Sequence, residues 1–167
     1  EPLAQPDFLE RVLALAKQKG LNTCVETSGY APWAHFERVL KWTDLFLYDV
    51  KAPPGAHRAL TGGDGDRPLD NLKALMGRGA QVVLRCPIVP GLNDTDQHFA
   101  GLAALALAYP ALAGIEILPY HDMGRGKALA IGREYPVEGP TAADALKRDW
   151  KARMRLAGLP ASAVDSF

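Results

Sequence analysis

Short apolar runs alternate with stretches of helical periodicity along this chain, and that alternation leaves few architectures open to it. The runs are Thr23-Cys-Val25, Leu45-Phe-Leu-Tyr48, Val82-Val-Leu84 and Ile115-Glu-Ile-Leu-Pro-Tyr120. Each follows a segment whose apolar residues recur at steps of three and four, the period of a helix with one face inward. An order of αβαβαβαβα implies a parallel sheet with right-handed crossovers. Strands are expected over 21–27, 44–50, 80–86 and 114–120. Four strands are too few to close a barrel, so the sheet is open or incomplete.

Every run leads into polar residues: Glu26 and Thr27, then Asp49 and Lys51, then Arg85, then His121. In a parallel sheet these groups collect at one rim, where barrels and open α/β sheets keep their active sites. Asp49 and Lys51 are two apart and share a face with Leu45 and Leu47. Charges there cost free energy unless partnered, so the pair is either functional or a structural ion pair. Perturbed charges at such a rim favour function. Arg85 either holds a ligand's carboxylate or phosphate or pairs with Glu26 or Asp49. His121 stands at a strand end, where an imidazole can serve chemistry. His35 and His98 fall within helices and are expected at the surface; His57 has no partner readable from the sequence.

The helices can be bounded from local signals. Pro6 opens the first and Gly20 stops it. A second starts near Pro32 and turns Trp33, Phe36, Val39 and Leu40 to one side. A third covers about 68–77, with Leu69, Leu72, Leu75 and Met76 inward. Asn93-Asp-Thr95 caps a fourth that ends before Pro110. Thr141 and Asp144 form a capping box for the last, which Gly158 ends. Residues 52–67 and 121–140 read as long loops, and loops of that length are often functional. Pro87 and Pro90 cannot donate to a ladder, so the third strand should stop or reach an edge there. Neither Gly91-Leu-Asn-Asp94 nor Gly124-Arg-Gly-Lys127 fits a phosphate-binding loop. Lys147, Arg148, Lys151, Arg153 and Arg155 make a basic outer face on the last helix.

Length and composition exclude several classes. A chain of 167 residues suits a single domain. Nineteen Lys and Arg balance 19 Asp and Glu, so no global field favours a nucleic acid or an acidic membrane. No apolar run approaches the ~20 residues of a membrane span. Cys24 and Cys86 lie in separate predicted strands and read as buried reduced thiols, which suits a cytoplasmic protein. There is no Cys-x-x-Cys, so these residues offer no thiolate cage for a metal or an iron–sulfur cluster.

Several motifs then occur in a fixed order: Glu1-Pro-Leu3, Glu26-Thr-Ser-Gly-Tyr30, Asp44-Leu-Phe-Leu-Tyr-Asp-Val-Lys51, His57-Arg-Ala-Leu-Thr-Gly62, Asn71-Leu72, Arg85 with Val89-Pro-Gly-Leu-Asn-Asp94, and Leu118-Pro-Tyr-His-Asp-Met-Gly124. With them the chain resembles the glycyl-radical-enzyme activating enzymes of the radical S-adenosylmethionine (SAM) superfamily, such as pyruvate formate-lyase activating enzyme. The resemblance implies a partial (β/α)6 TIM-like barrel. It also implies a 4Fe–4S cluster on a Cys-x3-Cys-x2-Cys loop, SAM on the cluster's fourth iron, and a 5′-deoxyadenosyl radical. That radical takes a hydrogen atom from a glycine of a partner glycyl radical enzyme, with flavodoxin or ferredoxin as electron donor.

Carried over by position, Glu1 looks like the acid that contacts the SAM amino group. Glu26, Thr27 and Asp49 resemble a monovalent-cation site beside the SAM carboxylate. Thr27, Asp49, Lys51 and Arg85 resemble the polar lining of the SAM pocket, and His121 the histidine against adenosine. The cysteine loop has no counterpart here. The chain is therefore expected to be the C-terminal part of such an enzyme, one radical SAM core over residues 1–167. Alone it is expected to be inactive and to associate through the unpaired edge of strand 21–27. Two other readings stay open: a cluster-free α/β lyase or isomerase using Lys51, and a non-catalytic nucleoside-binding module.

Overall fold

The computed structural model describes residues 1–52, 56–63, 65–122, 124–135 and 142–166. A short 3-10 turn, Pro2–Ala4, precedes helix α1, Pro6–Gln18. Strand β1, Cys24–Thr27, helix α2, Trp33–Leu40, and strand β2, Leu45–Asp49, follow. Helices α3, His57–Thr61, and α4, Asp66–Gly77, lead into β3, Val82–Ile88. Then come α5, Asp96–Ala108, β4, Gly114–Pro119, and helices α6, Gly124–Ala130, α7, Asp144–Leu156, and α8, Ala161–Val164. The strands lie in the order β1-β2-β3-β4, all parallel, as the alternation required.

The register divides the side chains between two faces. Val25, Phe46 and Val82 form one row, and Thr27, Tyr48, Leu84 and Ile115 the next. These residues are buried, packed under Phe36 and Val39 of α2, Leu72 and Leu75 of α4, Phe99 and Leu102 of α5, and Trp150 and Met154 of α7. The opposite face carries Glu26, Leu47, Val83 and Gly114 in one row and Asp49, Arg85 and Glu116 in another. It is half-buried or exposed along all four strands. One covered face and one open, charged face is the construction of a barrel wall.

Several local expectations need correcting. The 52–67 stretch holds α3 and the first turn of α4, and the 121–140 stretch holds α6. The third strand does not stop before the prolines: Pro87 pairs with Leu118 and Ile88 with Pro119. Arg85, two residues earlier, hydrogen-bonds toward β2, since its carbonyl accepts from the Val50 N–H at 2.8 Å. Pro87 therefore turns its ring nitrogen to that same side, past the end of β2 at Asp49, where no ladder bond is needed. Thr95 does cap α5, accepting from the His98 N–H. The last helix starts at Asp144 after Ala143, with no side-chain cap; Thr141 of the expected capping box lies outside the described residues.

The histidines in helices are not alike: His98 is buried, 1% exposed, while His35 is half-buried, with its Nδ1 2.9 Å from the Leu3 carbonyl oxygen. Cys86 is buried but Cys24 is exposed, on the open face of β1.

Candidate ligand-binding site

The carboxyl ends of β1 and β2 frame a cleft of about 470 Å3 lined by Glu1, Pro2, Glu26, Thr27, Ser28, Asp49 and Lys51. A second cleft of about 470 Å3 shares Ser28, Asp49 and Lys51 with it and continues over Tyr30, His57, Thr61, Gly62 and Gly63. Four of the residues picked from the sequence as one pocket, Glu1, Thr27, Asp49 and Lys51, are thus brought together.

Glu1 is held in place by the loop after β1. Its carboxylate accepts from Thr27 Oγ1 at 2.9 Å, from Ser28 N at 3.0 Å and from Ser28 Oγ at 2.7 Å. Burial pushes its pKa up, but these bonds from Ser28 and Thr27 outweigh burial and leave it below the usual carboxylate value. Glu1 is accordingly an anion at neutral pH. Thr27 is 2% exposed, on the covered face, so its hydroxyl reaches Glu1 from under the loop.

Asp49 ends β2 and its Oδ2 lies 3.1 Å from Lys51 Nζ. Val50 and Ala52, on either side of Lys51, are buried. Lys51 lines both clefts.

Arg85 lies on the open face and does not line the cleft. Its Nη1 donates to Glu26 Oε1, reaching across β2, and its Nε is 3.7 Å from Glu116 Oε2. Of the two readings open for Arg85, the intramolecular pair is the one seen. Glu26 and Thr27 project to opposite faces of β1, and Glu26 is taken up by Arg85. Glu26, Thr27 and Asp49 line the one cleft, with Glu26 already paired to Arg85. His121 follows β4 at the same rim, exposed and outside both clefts.

Sequence reasoning missed three contributors. His57 lines the second cleft and bonds to Thr61 Oγ1 at 2.9 Å. Asn71 donates to the carbonyls of Gly29 and Ala31, both at 2.8 Å, and so fixes the loop after β1. Asn93 does the same beyond β2 and β3, donating to Lys51 O and Pro87 O. All three sit in the ordered motifs quoted above, which was the one available signal. Gly29 has φ +75°, and a Cβ there would lie 1.9 Å from the Tyr48 hydroxyl, so that turn requires glycine.

Two thiols on separate strands, one of them buried and pushed up in pKa by that burial, do not fit a 4Fe–4S cluster. Among the described residues no group of three His, Cys, Asp or Glu is placed to hold a metal. What the cleft offers is a carboxylate locked at one end and an ammonium beside a second carboxylate at the other. That donor set fits a zwitterion, its amine toward Glu1 or Asp49 and its carboxylate toward Lys51.

The model of the radical SAM superfamily matches residues 1–103. The chain belongs to the radical SAM superfamily. It is 38% identical over 169 residues to the choline trimethylamine-lyase activating enzyme of Oleidesulfovibrio alaskensis, covering 98% of this chain and 54% of that protein. It is 35% identical over 150 residues to the pyruvate formate-lyase-activating enzyme of Clostridium pasteurianum, covering 89% of this chain and 62% of that protein. The chain thus spans about half the length of the curated relatives it matches. A solved domain of pyruvate-formate lyase-activating enzyme from Bacteroides vulgatus superposes with a TM-score of 0.74 at 22% identity, over 95% of this chain and 91% of that one. The fold of this radical SAM chain is therefore that of a partial TIM-like barrel. Among the described residues no helix is long and apolar enough to cross a membrane.

Proposed function

We propose that these residues form the SAM-holding wall of a glycyl-radical-enzyme activating enzyme. The observation that carries the proposal is the Glu1, Asp49 and Lys51 cleft at the carboxyl ends of β1 and β2, in a chain whose relatives are named activating enzymes. Glu1 receives the amino group of SAM and Lys51 its carboxylate, with Asp49 holding the ammonium in place. The second cleft, past Tyr30 and His57, leads away from the amino-acid end of the ligand. Arg85 acts indirectly, tying β1 to β3 and β4 through Glu26 and Glu116.

The cluster that reduces SAM in this family would draw its cysteines from outside residues 1–167, and this chain's own part is to bind and orient. The partner is a glycyl radical enzyme and the electron donor a flavodoxin or ferredoxin, in the cytoplasm. Lys51 faces a carboxylate instead of the apolar pocket that activates Schiff-base lysines, which disfavours the lyase reading.

Equilibrium dialysis with labelled SAM tests this. Lys51→Ala and Glu1→Gln should each weaken binding by about tenfold, the worth of one charge-assisted contact. Undiminished binding by both variants would remove the cleft from the account.

A further inference from the structure

Lys51 can work only if its backbone is fixed, because a four-carbon stem on a mobile loop places its charge poorly. Three groups fix it. The Val50 N–H donates to the Arg85 carbonyl at 2.8 Å. Val50 and Ala52 are 7% and 5% exposed, so both flanking side chains are embedded in the core. The Lys51 carbonyl itself accepts from Asn93 Nδ2 at 2.8 Å.

Asn93 is 5% exposed and fully committed. Its second amide hydrogen goes to Pro87 O at 2.7 Å, and its Oδ1 accepts from Val89 N at 2.7 Å. One side chain thereby joins the residue after β2 to the end of β3 and closes the 89–93 turn on itself. Only a carboxamide supplies two donors and one acceptor in that fork. Aspartate would set an oxygen against two carbonyls, and leucine would leave all three groups unpaired.

We propose that Asn93 is the positioning residue for Lys51: it clamps the lysine's carbonyl so that the ammonium is held at the mouth of the Glu1 and Asp49 cleft. This rests on the reading of that cleft as the seat of the SAM amino-acid moiety. Asn93 touches no ligand and acts through Lys51.

The test is a double-mutant cycle on the affinity for S-adenosylhomocysteine, read by calorimetry on the whole chain. Asn93→Ala should weaken binding about tenfold when Lys51 is present and less than about twofold in a Lys51→Ala background. Hydrogen exchange of the amides at 50–52 should speed up in Asn93→Ala. Equal losses in both backgrounds overturn the proposal and make Asn93 a general support of the loop. Lys51→Ala that binds as tightly as the unaltered chain overturns the cleft reading instead. Should Asn93→Ala not fold, Asn93→Ser, which leaves room for a bridging water, carries the same cycle with the same two outcomes.

Discussion

Acidification from pH 7.5 to 4 forces a proton onto a histidine that the fold has sealed away from water. His98 sits on α5 against Val50, Ala52, Leu69, Leu102 and Leu105. It is 1% exposed, and neither ring nitrogen has a hydrogen-bond partner. Burial alone brings its pKa down from 6.5 to about 4. The unfolded chain takes up this proton near pH 6.5, and the folded chain only near pH 4. Between those values the unfolded state binds more protons, so stability falls as the pH drops. Above the window both states are neutral, and below it both are charged, so the slope from this residue vanishes.

The gap from 6.5 to 4, at about 1.4 kcal/mol per pH unit, amounts to roughly 3 kcal/mol, a large part of a domain's ~5–15 kcal/mol. Urea unfolding followed by tryptophan fluorescence at pH 7.5, 6.5, 5.5 and 4.5 measures it. His98→Leu fills the same volume, removes two unpartnered nitrogens and should flatten this part of the profile. It should also be at least as stable as the unaltered chain at pH 7.5. Parallel profiles for the two proteins between pH 6.5 and 4.5 would refute the assignment. Asp44 cannot mimic the effect. Its bond from Lys17, with those from Thr23, lowers its pKa from 3.8 to about 2, so its stabilisation is lost only as the pH falls from 3.8 toward 2.

Other outcomes follow from the same coordinates. Gly29→Ala should cost more than about 3 kcal/mol, because φ is +75° and the new Cβ meets the Tyr48 ring; Tyr48→Phe should rescue part of that loss in thermal melts. Tyr48→Phe alone removes a buried 2.6 Å bond to the Pro68 carbonyl and should cost about 1–2 kcal/mol in urea unfolding. Thr27→Val keeps the shape but deletes the hydroxyl donor to Glu1, so it should raise the Glu1 pKa in a carboxyl NMR titration. β1 is an edge strand, and the chain should associate with rising concentration in sedimentation velocity; a single monomer at all loadings contradicts that.

The sheet was legible in the sequence because strand and helix periods differ and local signals bound the helices: Gly20 stops α1 and Thr95 caps α5 where expected. The rim was legible in part because parallel strands send their last residues to one end, which gathered Thr27, Asp49 and Lys51; Glu1, which no strand carries, was named only through the family resemblance. What failed is what depends on partners distant in sequence. His98 looks like a surface residue until α5 is rotated against β2. Arg85 could have served a ligand or Glu26, and only the stagger of β1 against β3 decides. Pro87 is tolerated in an inner strand because β2 is two residues too short to need its N–H. Asn71 and Asn93 give no local sign that their amides hold other loops.

The most direct test of the whole account is an NMR chemical-shift map of the chain titrated with S-adenosylhomocysteine. Saturable shifts should concentrate at Glu1, Ser28, Asp49 and Lys51 and be absent from the outer faces of α5 and α7. Shifts centred elsewhere, or none at millimolar ligand, would contradict the central claim that this rim is built to hold the zwitterionic amino-acid end of an adenosyl ligand.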